Sequence, residues 1–416
     1  MTKENYILIS LDEVRPDHLS CYGYRDNRTP NLDRLAENGV LFETVISSSC
    51  LTPVSHASIL TGLNAPKHGV RMPYNKINAR LVSEYFKKRA YKTAAYVGVN
   101  FLGAANGYGS GFDSFDEPRK KTAWRQTKYD SKDKHVILWG NSWMDRMFKW
   151  ISQNYKERFF IWGHYFECHE GAETTLLEKG KLENDVMAEF GYYDAKIKLM
   201  DDYLFGRLHQ LLSRLNIEDR TYIIVTSDHG TNLGEHPLPF NEKIGKFFPQ
   251  HVTLFDCDIR VPLLINGPAF EKAKRVEGMV RSIDIMPTLL ELANIKNDRS
   301  EGISLLPFIA RGKAEGLTAY SEELFELRGH GDFQSVRNDR YKFIINRRTG
   351  LKEFYDLSND PNEGDNIILK LSSYEKGLVD EWYAVCESNM LFDAKKNIKK
   401  NYKQEITEKL SSLGYI

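Results

Sequence analysis

The sequence predicts an α/β protein in which helices flank a mostly parallel central sheet. Apolar runs rich in branched residues recur at residues 6–11, 158–165 and 222–226, as expected for strands that are buried on both faces. Each run ends in polar or charged residues, and stretches with helical spacing lie between the runs. This alternation of strand and helix is typical of a parallel sheet.

The other elements are predicted in chain order. The first half contains a turn and helix at 29–36, a returning strand at 39–42, a helix at 81–88, a strand at 92–99 and a surface excursion at 117–134. The second half contains a long helix at 186–215, a strand at 260–265 and a helix that opens at 284–290. After about residue 312, short alternating segments at 333–336, 341–345 and 353–357 predict a small antiparallel sheet with terminal helices. We therefore predict a main domain at 1–312 and a C-terminal α+β subdomain at 313–416.

Composition excludes several classes of partner. Among 416 residues, Lys+Arg and Asp+Glu both number 57, so the formal net charge is zero and nothing supports nucleic-acid binding or a basic membrane surface. The five cysteines are scattered without a C-x-x-C pair and are expected to be reduced thiols. The N-terminal apolar run is too short for a membrane span or a secretory signal, so we expect a cytoplasmic protein. The basic run at 395–403 is expected to be a solvated helix face.

Acidic side chains follow two of the buried strands. Asp12 and Glu13 come directly after the first strand, and Asp228 and His229 end the strand at 222–226. In open α/β sheets, ligands bind at this carboxyl edge. Burial and like charge both oppose ionisation of clustered carboxylates, and a divalent cation would relieve both effects. Oxygen ligands with one imidazole suit Mn²⁺, Zn²⁺ or Mg²⁺, with Mn²⁺ or Zn²⁺ favoured, while Ca²⁺ remains open from the carboxylates alone.

The segment 49–62 is predicted to deliver a hydroxyl group to the start of a helix. Small polar residues lead to Thr52, and Pro53 suits a first helical turn, where its missing N–H is harmless. Thr52 would then lie at a helix N-terminus, where exposed N–H groups and the helix dipole favour an oxyanion. The alternative is an ordinary Ser/Thr helix cap.

Taken together, these motifs resemble those of a sulfatase-type member of the alkaline phosphatase superfamily. The resemblance covers nearly the whole chain in order, at 8–12 (LISLD), 19–24, 29–36, 55–62 (SHASILTG), 68–70, 227–230 (SDHG), 233–236, 260–263 (RVPL), 284–288 (DIMPT), 355–357, 360–361 and 409–416. It implies a sulfatase-like catalytic domain at 1–312. It also implies one divalent metal ion held by Asp12, Asp228 and His229, with Glu13 at a position that is often a ligand. The nucleophile, which is itself coordinated to the metal, is implied at Thr52.

The chain departs from the family at its cationic and modified positions. Sulfatases carry a C/S-x-P-x-R pattern in which the Cys or Ser becomes formylglycine, whereas here Thr52 stands at that place and His56 replaces the arginine. The segment 98–103 lacks the family's Lys and His, and His251 stands where a later lysine is expected. The cations that a sulfatase uses to hold the sulfate are therefore absent or replaced by histidine.

These departures predict a metal-dependent hydrolase of phosphoric esters, with diesters favoured. Thr52 would attack phosphorus with its hydroxyl acidified by the metal, and would form a covalent phospho-threonine intermediate. His169, His251 and His56 are candidates for contacts to the oxyanion and for protonation of the leaving group. Fewer fixed cations would suit a singly charged diester. Specificity for a small-molecule or glycan ester is expected to reside in the loops 103–134 and 170–184.

Three other functions remain open from the residues. A sulfuric ester hydrolase that works without formylglycine is the nearest rival. A phosphotransferase that moves a phospho-alcohol group to a glycan is the second. A binding protein without activity is the third, although the proposed set of Asp12, Thr52, Asp228 and His229 is complete.

Overall fold

The computed structural model describes residues 4–118, 140–169, 186–236, 240–241, 246–247, 252–270, 273–324 and 332–391. Five features identified in the sequence lie wholly or largely outside these ranges, namely His251, most of the excursion at 117–134, the loop at 170–184, the basic run at 395–403 and the motif at 409–416.

Fifteen strands and eleven α-helices are present in the described part of the chain. The strands are β1 Asn5–Leu11, β2 Gly39–Ile46, β3 Lys92–Tyr96, β4 Ser114–Asp116, β5 Phe159–Tyr165, β6 Thr221–Ser227, β7 Phe240–Asn241, β8 Lys246–Phe247, β9 Arg260–Val261, β10 Leu263–Asn266, β11 Lys274–Arg281, β12 Ala319–Glu323, β13 Phe333–Arg337, β14 Tyr341–Asn346 and β15 Lys352–Asp356. The helices are α1 Pro30–Glu37, α2 Thr52–Thr61, α3 Ala65–His68, α4 Val82–Lys88, α5 Gly140–Asn154, α6 Val186–Met200, α7 Arg207–Arg214, α8 Asp256–Ile259, α9 Ile285–Leu292, α10 Leu306–Arg311 and α11 Ser373–Leu391.

The predicted fold class is confirmed. A nine-stranded sheet has the order β11-β2-β10-β6-β1-β5-β3-β4, with β9 paired to β2. Its central pairs, β6 with β1 and β1 with β5, are parallel, whereas β10 runs antiparallel between β2 and β6. A separate antiparallel sheet, β12-β13-β14-β15, is the predicted small C-terminal sheet. The domain boundary at residue 312 stays a prediction.

Strand β1 shows why the sheet is covered on both sides. All seven of its residues are buried. Its side chains alternate between two cores, with Tyr6 and Leu8 in one hydrophobic cluster and Ile7 and Ile9 in the other. Both faces of β1 are therefore closed to solvent. A ligand can be bound only by the residues that follow its carboxyl end, beginning with Asp12.

The long helix predicted at 186–215 is interrupted by a π-helix. Helix α6 ends at Met200, a π-helix covers Asp201–Gly206, and α7 continues from there. At this point the buried Asp201 accepts the backbone N–H groups of Asn31 (3.0 Å) and Leu32 (2.8 Å) at the start of α1. The widened turn thus coincides with a tertiary contact that helical spacing does not reveal.

Charged residues connect α8 to the C-terminal sheet. Asp256 accepts hydrogen bonds from Arg337 at 2.6 Å and from the fully buried Lys342 at 2.9 Å. Lys342 also forms an ion pair with Glu363 at 2.7 Å. Charges buried in this way must remain paired, because removing one partner leaves an uncompensated charge.

Asp258, near this network, makes the stability of the protein depend on pH. Its buried carboxyl group accepts the N–H of Thr253 at 2.9 Å, and burial raises its pKa to about 7. A raised pKa favours the protonated acid in the folded state, so this stabilisation is present below the unfolded pKa and is lost as pH rises through about 7. An asparagine side chain at this position would accept the same hydrogen bond without ionising. We expect the stability of Asp258→Asn, relative to the wild type, to increase by on the order of 2 kcal/mol between pH 5 and pH 8.

Urea unfolding of the metal-free proteins at both pH values measures this change. Asp202→Asn is the control, because its carboxylate is exposed and paired with Lys198. A stability difference for Asp258→Asn that stays constant with pH would show that Asp258 does not titrate in this range.

Candidate active site

The three central strands deliver both predicted aspartates to one edge of the sheet. The N–H of Asp12 donates to the carbonyl of Tyr165 at the end of β5 (2.9 Å), and the N–H of Asp228 donates to the carbonyl of Leu11 at the end of β1 (3.0 Å). The parallel ladder therefore continues one residue past each strand. Both aspartates are fully buried at this edge of the sheet.

The two carboxylate oxygens of Asp228 have different surroundings. Its Oδ1 accepts the backbone N–H of His229 at 2.7 Å and that of Glu13 at 3.4 Å. Among the described residues, its Oδ2 accepts no hydrogen bond, although His229 Nε2 lies 3.5 Å away and His56 Nδ1 lies 3.6 Å away. A buried carboxylate oxygen without a donor is costly, and a cation would satisfy it.

Asp12 likewise has one carboxylate oxygen in a hydrogen bond and one that accepts none among the described residues. The N–H of Gly98 donates to His164 Nδ1 at 3.4 Å, so the ring proton of His164 is on Nε2, which lies 3.2 Å from Asp12 Oδ2. Asp12 Oδ1 accepts no hydrogen bond within the described ranges. His164 therefore orients a carboxylate from outside the ligand set, as supporting residues of metal sites commonly do.

Thr52 lies opposite His229. Helix α2 begins at Thr52, with Pro53 in its first turn, and the N-cap residue is Leu51 without a side-chain cap. The hydroxyl of Thr52 is thus not used as a helix cap, and its Oγ1 lies 3.2 Å from His229 Nε2. His229 Nδ1 donates to the carbonyl of Gly230 at 2.8 Å, so in the neutral ring it is Nε2 whose lone pair faces Thr52.

Ser47, which directly follows β2, and Ser55 on α2 connect these two elements to Asp228 at the end of β6. Ser47 and Ser55 both donate their hydroxyl groups to the carbonyl of Asp228 and lie 2.9 Å from each other. All ten residues of α2 are buried. The position of Thr52 relative to Asp228 is therefore set by hydrogen bonds and by packing along the whole helix.

His56 lies one helical turn after Thr52 and faces back into the sheet. Its Nδ1 donates to the carbonyl of Thr52 at 2.8 Å, and its Nε2 lies 2.8 Å from the hydroxyl of Ser10. Ser10 in turn accepts the indole N–H of Trp162 at 3.0 Å, so its own proton is available for His56. Both ring nitrogens of the fully buried His56 are thus engaged behind Thr52.

Glu13 and His169 meet on the other side of Asp12. Glu13 has a left-handed backbone (φ 60°), and its carbonyl accepts the hydroxyl of Tyr193 on α6. Its Oε1 lies 3.3 Å from His169 Nε2. Lys196, also on α6, donates from Nζ to the carbonyl of His169 at 2.7 Å. Helix α6 therefore holds the backbone at both residues.

Electrostatics at the site favour a cation. Burial, reinforced by the negative charges of Asp228 and Glu13, raises the pKa of Asp12 well above its ordinary value. Burial also raises the pKa of Asp228. Burial lowers the pKa of His56 and His164, which keeps both imidazoles neutral at physiological pH. Donor atoms of Asp12, Asp228 and His229 lie within 4.8 Å of one another, and this donor set fits a divalent metal ion.

All the site residues predicted within the described ranges come together. These are Asp12, Glu13, Thr52, His56, His169, Asp228 and His229, and His251 lies outside those ranges. The structure adds residues that the motifs did not assign, namely Ser10, Ser47, Ser55, Trp162, Tyr193 and Lys196. Polar residues within apolar strands, such as Ser10 in β1, were the available signal for some of them.

Known proteins resemble this chain over most of its length. A family model described as Sulfatase matches residues 4–295, and one described as N-sulphoglucosamine sulphohydrolase, C-terminal, matches residues 246–380. The uncharacterized sulfatase YidJ of Escherichia coli is 24% identical, over 88% of this chain and 84% of its own length.

Solved structures share the fold. Phosphonate monoester hydrolase of Agrobacterium radiobacter superimposes with a TM-score of 0.74 at 20% identity, covering 93% of this chain and 95% of its own. A protein in complex with its substrate D-glucosamine-2-N,6-O-disulfate gives a TM-score of 0.72 at 18% identity, covering 95% and 99%. None of the helices within the described ranges is long and apolar enough to cross a membrane. Because the Sulfatase model spans more than half of the sequence, the chain belongs to the sulfatase family, whose members are hydrolases built on the alkaline phosphatase superfamily fold.

Proposed function

We propose that this member of the sulfatase family hydrolyses phosphoric diesters with Thr52 as its nucleophile. The observation that carries the proposal is the position of the Thr52 hydroxyl, 3.2 Å from Nε2 of His229, whose Nδ1 donates to the carbonyl of Gly230. His229 belongs to the same group of donor atoms as Asp12 and Asp228, and each of these two aspartates has one oxygen that accepts no hydrogen bond within the described ranges.

Asp12, Asp228 and His229 would hold one divalent metal ion, with Thr52 beside them. When bound, such an ion lowers the pKa of a neighbouring hydroxyl group and stabilises negative charge on the ester oxygens. The residues around it supply orientation. Asp12 is held by His164, and Asp228 by the N–H groups of Glu13 and His229, so each carboxylate presents one oxygen in a fixed direction.

The proposed reaction has two steps. Thr52 Oγ forms a bond to phosphorus while the bond from phosphorus to the leaving alcohol breaks, and the proton that Thr52 loses balances the one that the departing oxygen takes up. Water then attacks the same phosphorus and the bond to Thr52 Oγ breaks. One proton of the water restores the hydroxyl group of Thr52, and its oxygen stays on phosphorus in the monoester product. N–H groups in the first turn of α2 lack intrahelical partners and favour the negative charge of the ester.

In the proposed mechanism, His56 positions Thr52 through a hydrogen bond to its backbone carbonyl. Its Nδ1–H is bonded to the carbonyl of Thr52, and its Nε2 faces Ser10. We therefore assign His56 to the positioning of Thr52, in place of the oxyanion contact expected from the sequence.

The charge of the site supports a diester. His56, which stands where the family has an arginine, is neutral because burial lowers its pKa. A doubly charged monoester would need more positive charge than a singly charged diester. The competing function, hydrolysis of sulfuric esters, is supported by the family match, and a sulfate monoester is also singly charged.

A substrate comparison separates the two functions. Metal-stripped protein resupplied with Mn²⁺, Zn²⁺, Mg²⁺ or Ca²⁺ is assayed with aryl phosphodiester, phosphomonoester and sulfate substrates that share one leaving group. We expect kcat/KM to be at least about tenfold higher for the diester than for either alternative, a difference of about 1.4 kcal/mol in transition-state stabilisation. Faster turnover of the sulfate would reject the diester proposal and assign the protein as a sulfatase that does not use formylglycine.

A further inference from the structure

A cavity lies at the end of the main sheet opposite the candidate active site. Its floor is formed by Thr221 and Ile223 at the start of β6 and by Asn266 at the end of β10, which pairs with Ile223. Strand β6 runs from this floor to its last residue, which Asp228 directly follows. At about 3.3 Å per residue, the cavity and the candidate active site are roughly 20 Å apart. None of the residues that line the cavity belongs to the site described above.

Helix α1 forms one wall of the cavity, and the π-helix together with α7 forms the other. Asp201 ties the two walls together, because its carboxylate accepts the backbone N–H groups of Asn31 and Leu32 and also the side-chain amide of Asn31 at 2.9 Å. Between the walls the cavity has a volume of about 270 Å³. This volume is close to the lower limit of small-molecule sites in proteins.

Apolar side chains line much of the cavity. Phe205, Leu208 and Leu212 come from the π-helix and α7, and each is at most 2% exposed. Leu35 faces the cavity from α1, and all four side chains pack in the same hydrophobic cluster as Ile223. The apolar body of a ligand would therefore displace water from a hydrophobic surface that is already formed.

One charged side chain at the cavity has no partner of opposite charge. Three of the lining residues are charged or titratable, namely Arg34, His209 and Glu218. His209 and Glu218 form an ion pair, with Nδ1 2.5 Å from Oε1. Arg34 is exposed, and its guanidinium pairs with no carboxylate in the described part of the chain. A guanidinium in this state can bind a carboxylate through two parallel hydrogen bonds.

The part of α1 that carries Arg34 is fixed to the sheet. The side-chain amide of Asn266 donates to the carbonyl of Asn38 at 2.7 Å, and that of Asn38 donates to the carbonyl of Arg34 at 2.9 Å. These two hydrogen bonds connect the last turn of α1 to the end of β10. The backbone that presents Arg34 to the cavity is therefore held in place before any ligand binds.

We propose that this cavity binds a small organic monocarboxylate. The apolar body lies between α1 and α7, and the carboxylate pairs with the Arg34 guanidinium. The apolar lining favours such a ligand over an inorganic anion, which has no apolar surface to bury. The proposal is independent of the proposed function, because it uses none of the residues that hold the metal or the nucleophile.

Fluorine NMR with 4-fluorophenylacetate as the probe tests the proposal. The transverse relaxation of the probe is measured during titration of the full chain, once with Zn²⁺ and once with EDTA. We expect saturable binding with a dissociation constant on the order of 1 mM or lower, equal under both conditions. The neutral analogue 4-fluorophenylacetamide retains the ring and lacks the charge, so we expect it to bind at least about tenfold more weakly.

Arg34→Gln removes the charge at an exposed position and is expected to weaken binding of the carboxylate by about tenfold or more. The matched control is Arg214→Gln, which removes an exposed arginine of α7 that does not line the cavity and should leave binding unchanged. Leu35→Trp is a second variant, in which the larger side chain fills the cavity and should also abolish binding. Circular dichroism establishes that each variant is folded.

Four results would overturn the proposal. The first is the absence of saturable binding to the wild type, and the second is wild-type affinity in both folded variants of the cavity. The third is an equal loss of affinity in Arg34→Gln and Arg214→Gln, which would indicate general attraction to surface charge. The fourth is binding that requires Zn²⁺ and is unaffected by Arg34→Gln, which would place the probe at the metal site. Because no turnover is measured, each of these results leaves the proposed function untouched.

Discussion

Replacement of Thr52 by alanine is expected to lower kcat/KM for a phosphodiester by about 10³-fold or more, with bound metal unchanged. The variant loses the only atom that the proposal assigns to attack on phosphorus. The ligand set of Asp12, Asp228 and His229 is retained, and alanine is readily accommodated at the first position of α2 because Thr52 makes no side-chain cap. Steady-state assays and elemental analysis of the same preparations measure both effects.

Thr52→Ser is the matched control for this prediction. Serine keeps a hydroxyl group within reach of His229 Nε2 and is expected to retain activity within about tenfold of the wild type. Rapid quenching followed by mass spectrometry should detect an adduct on residue 52, consisting of the phosphoryl group with its retained alcohol, in the wild type and the serine variant. Near-normal diester turnover by Thr52→Ala would remove Thr52 as the nucleophile.

Asp228→Asn is expected to abolish both metal binding and turnover while leaving the metal-free fold intact. Asparagine is nearly the same shape, and its carbonyl oxygen can accept the N–H groups of His229 and Glu13 that Asp228 Oδ1 accepts. What is lost is the negative charge on Oδ2, which lies 3.5 Å from His229 Nε2. We expect kcat to fall by about 10³-fold or more, because the nucleophile then lacks its activating ion.

Thermal unfolding distinguishes this loss from general damage. A ligand that binds only the folded state at 100 times its dissociation constant adds about 2.7 kcal/mol of stability. The wild-type Tm should therefore rise when Mn²⁺ is added, whereas the Tm of Asp228→Asn should not change. Without metal, the variant should be at least as stable as the wild type, because it buries one charge fewer. Asp202→Asn, at an exposed carboxylate, should show the wild-type response. Unchanged metal content in Asp228→Asn would reject the ligand assignment.

Some strands of the fold were not predicted from the sequence, for physical reasons that the structure reveals. Strand β11, Lys274–Arg281, lies at the edge of the sheet, mixes exposed and buried residues without regular alternation, and contains an irregularity between Val276 and Met279. Strand β12, Ala319–Glu323, is entirely buried although it ends in two glutamates. Its Glu322 is stabilised by Arg71 at 2.7 Å, a partner that is 251 residues away in the chain. Such compensation cannot be inferred from local pattern.

Local sequence pattern was sufficient for the strands of the central sheet core, for the parallel architecture and for the meeting of Asp12 with Asp228. Burial on both faces produces continuous apolar runs, and the parallel arrangement brings the carboxyl ends of such strands to one edge. Both features follow from local sequence and from the general topology of parallel sheets, so short sequence motifs are enough to predict them. The placement of Thr52 at a helix N-terminus follows in the same way from the adjoining proline.

Only the tertiary structure determines which atom of each polar side chain faces the site. A carboxylate has two equivalent oxygens and an imidazole has two nitrogens, and which atom faces the site depends on donors supplied by other elements. Gly98 determines which nitrogen of His164 donates to Asp12, and Ser10 and the Thr52 carbonyl together engage His56. Glu13 and His169 are likewise held by helix α6, whose contribution no local motif indicates. The sequence therefore identifies the chemical groups, and the hydrogen bonds between distant elements assign each group its direction.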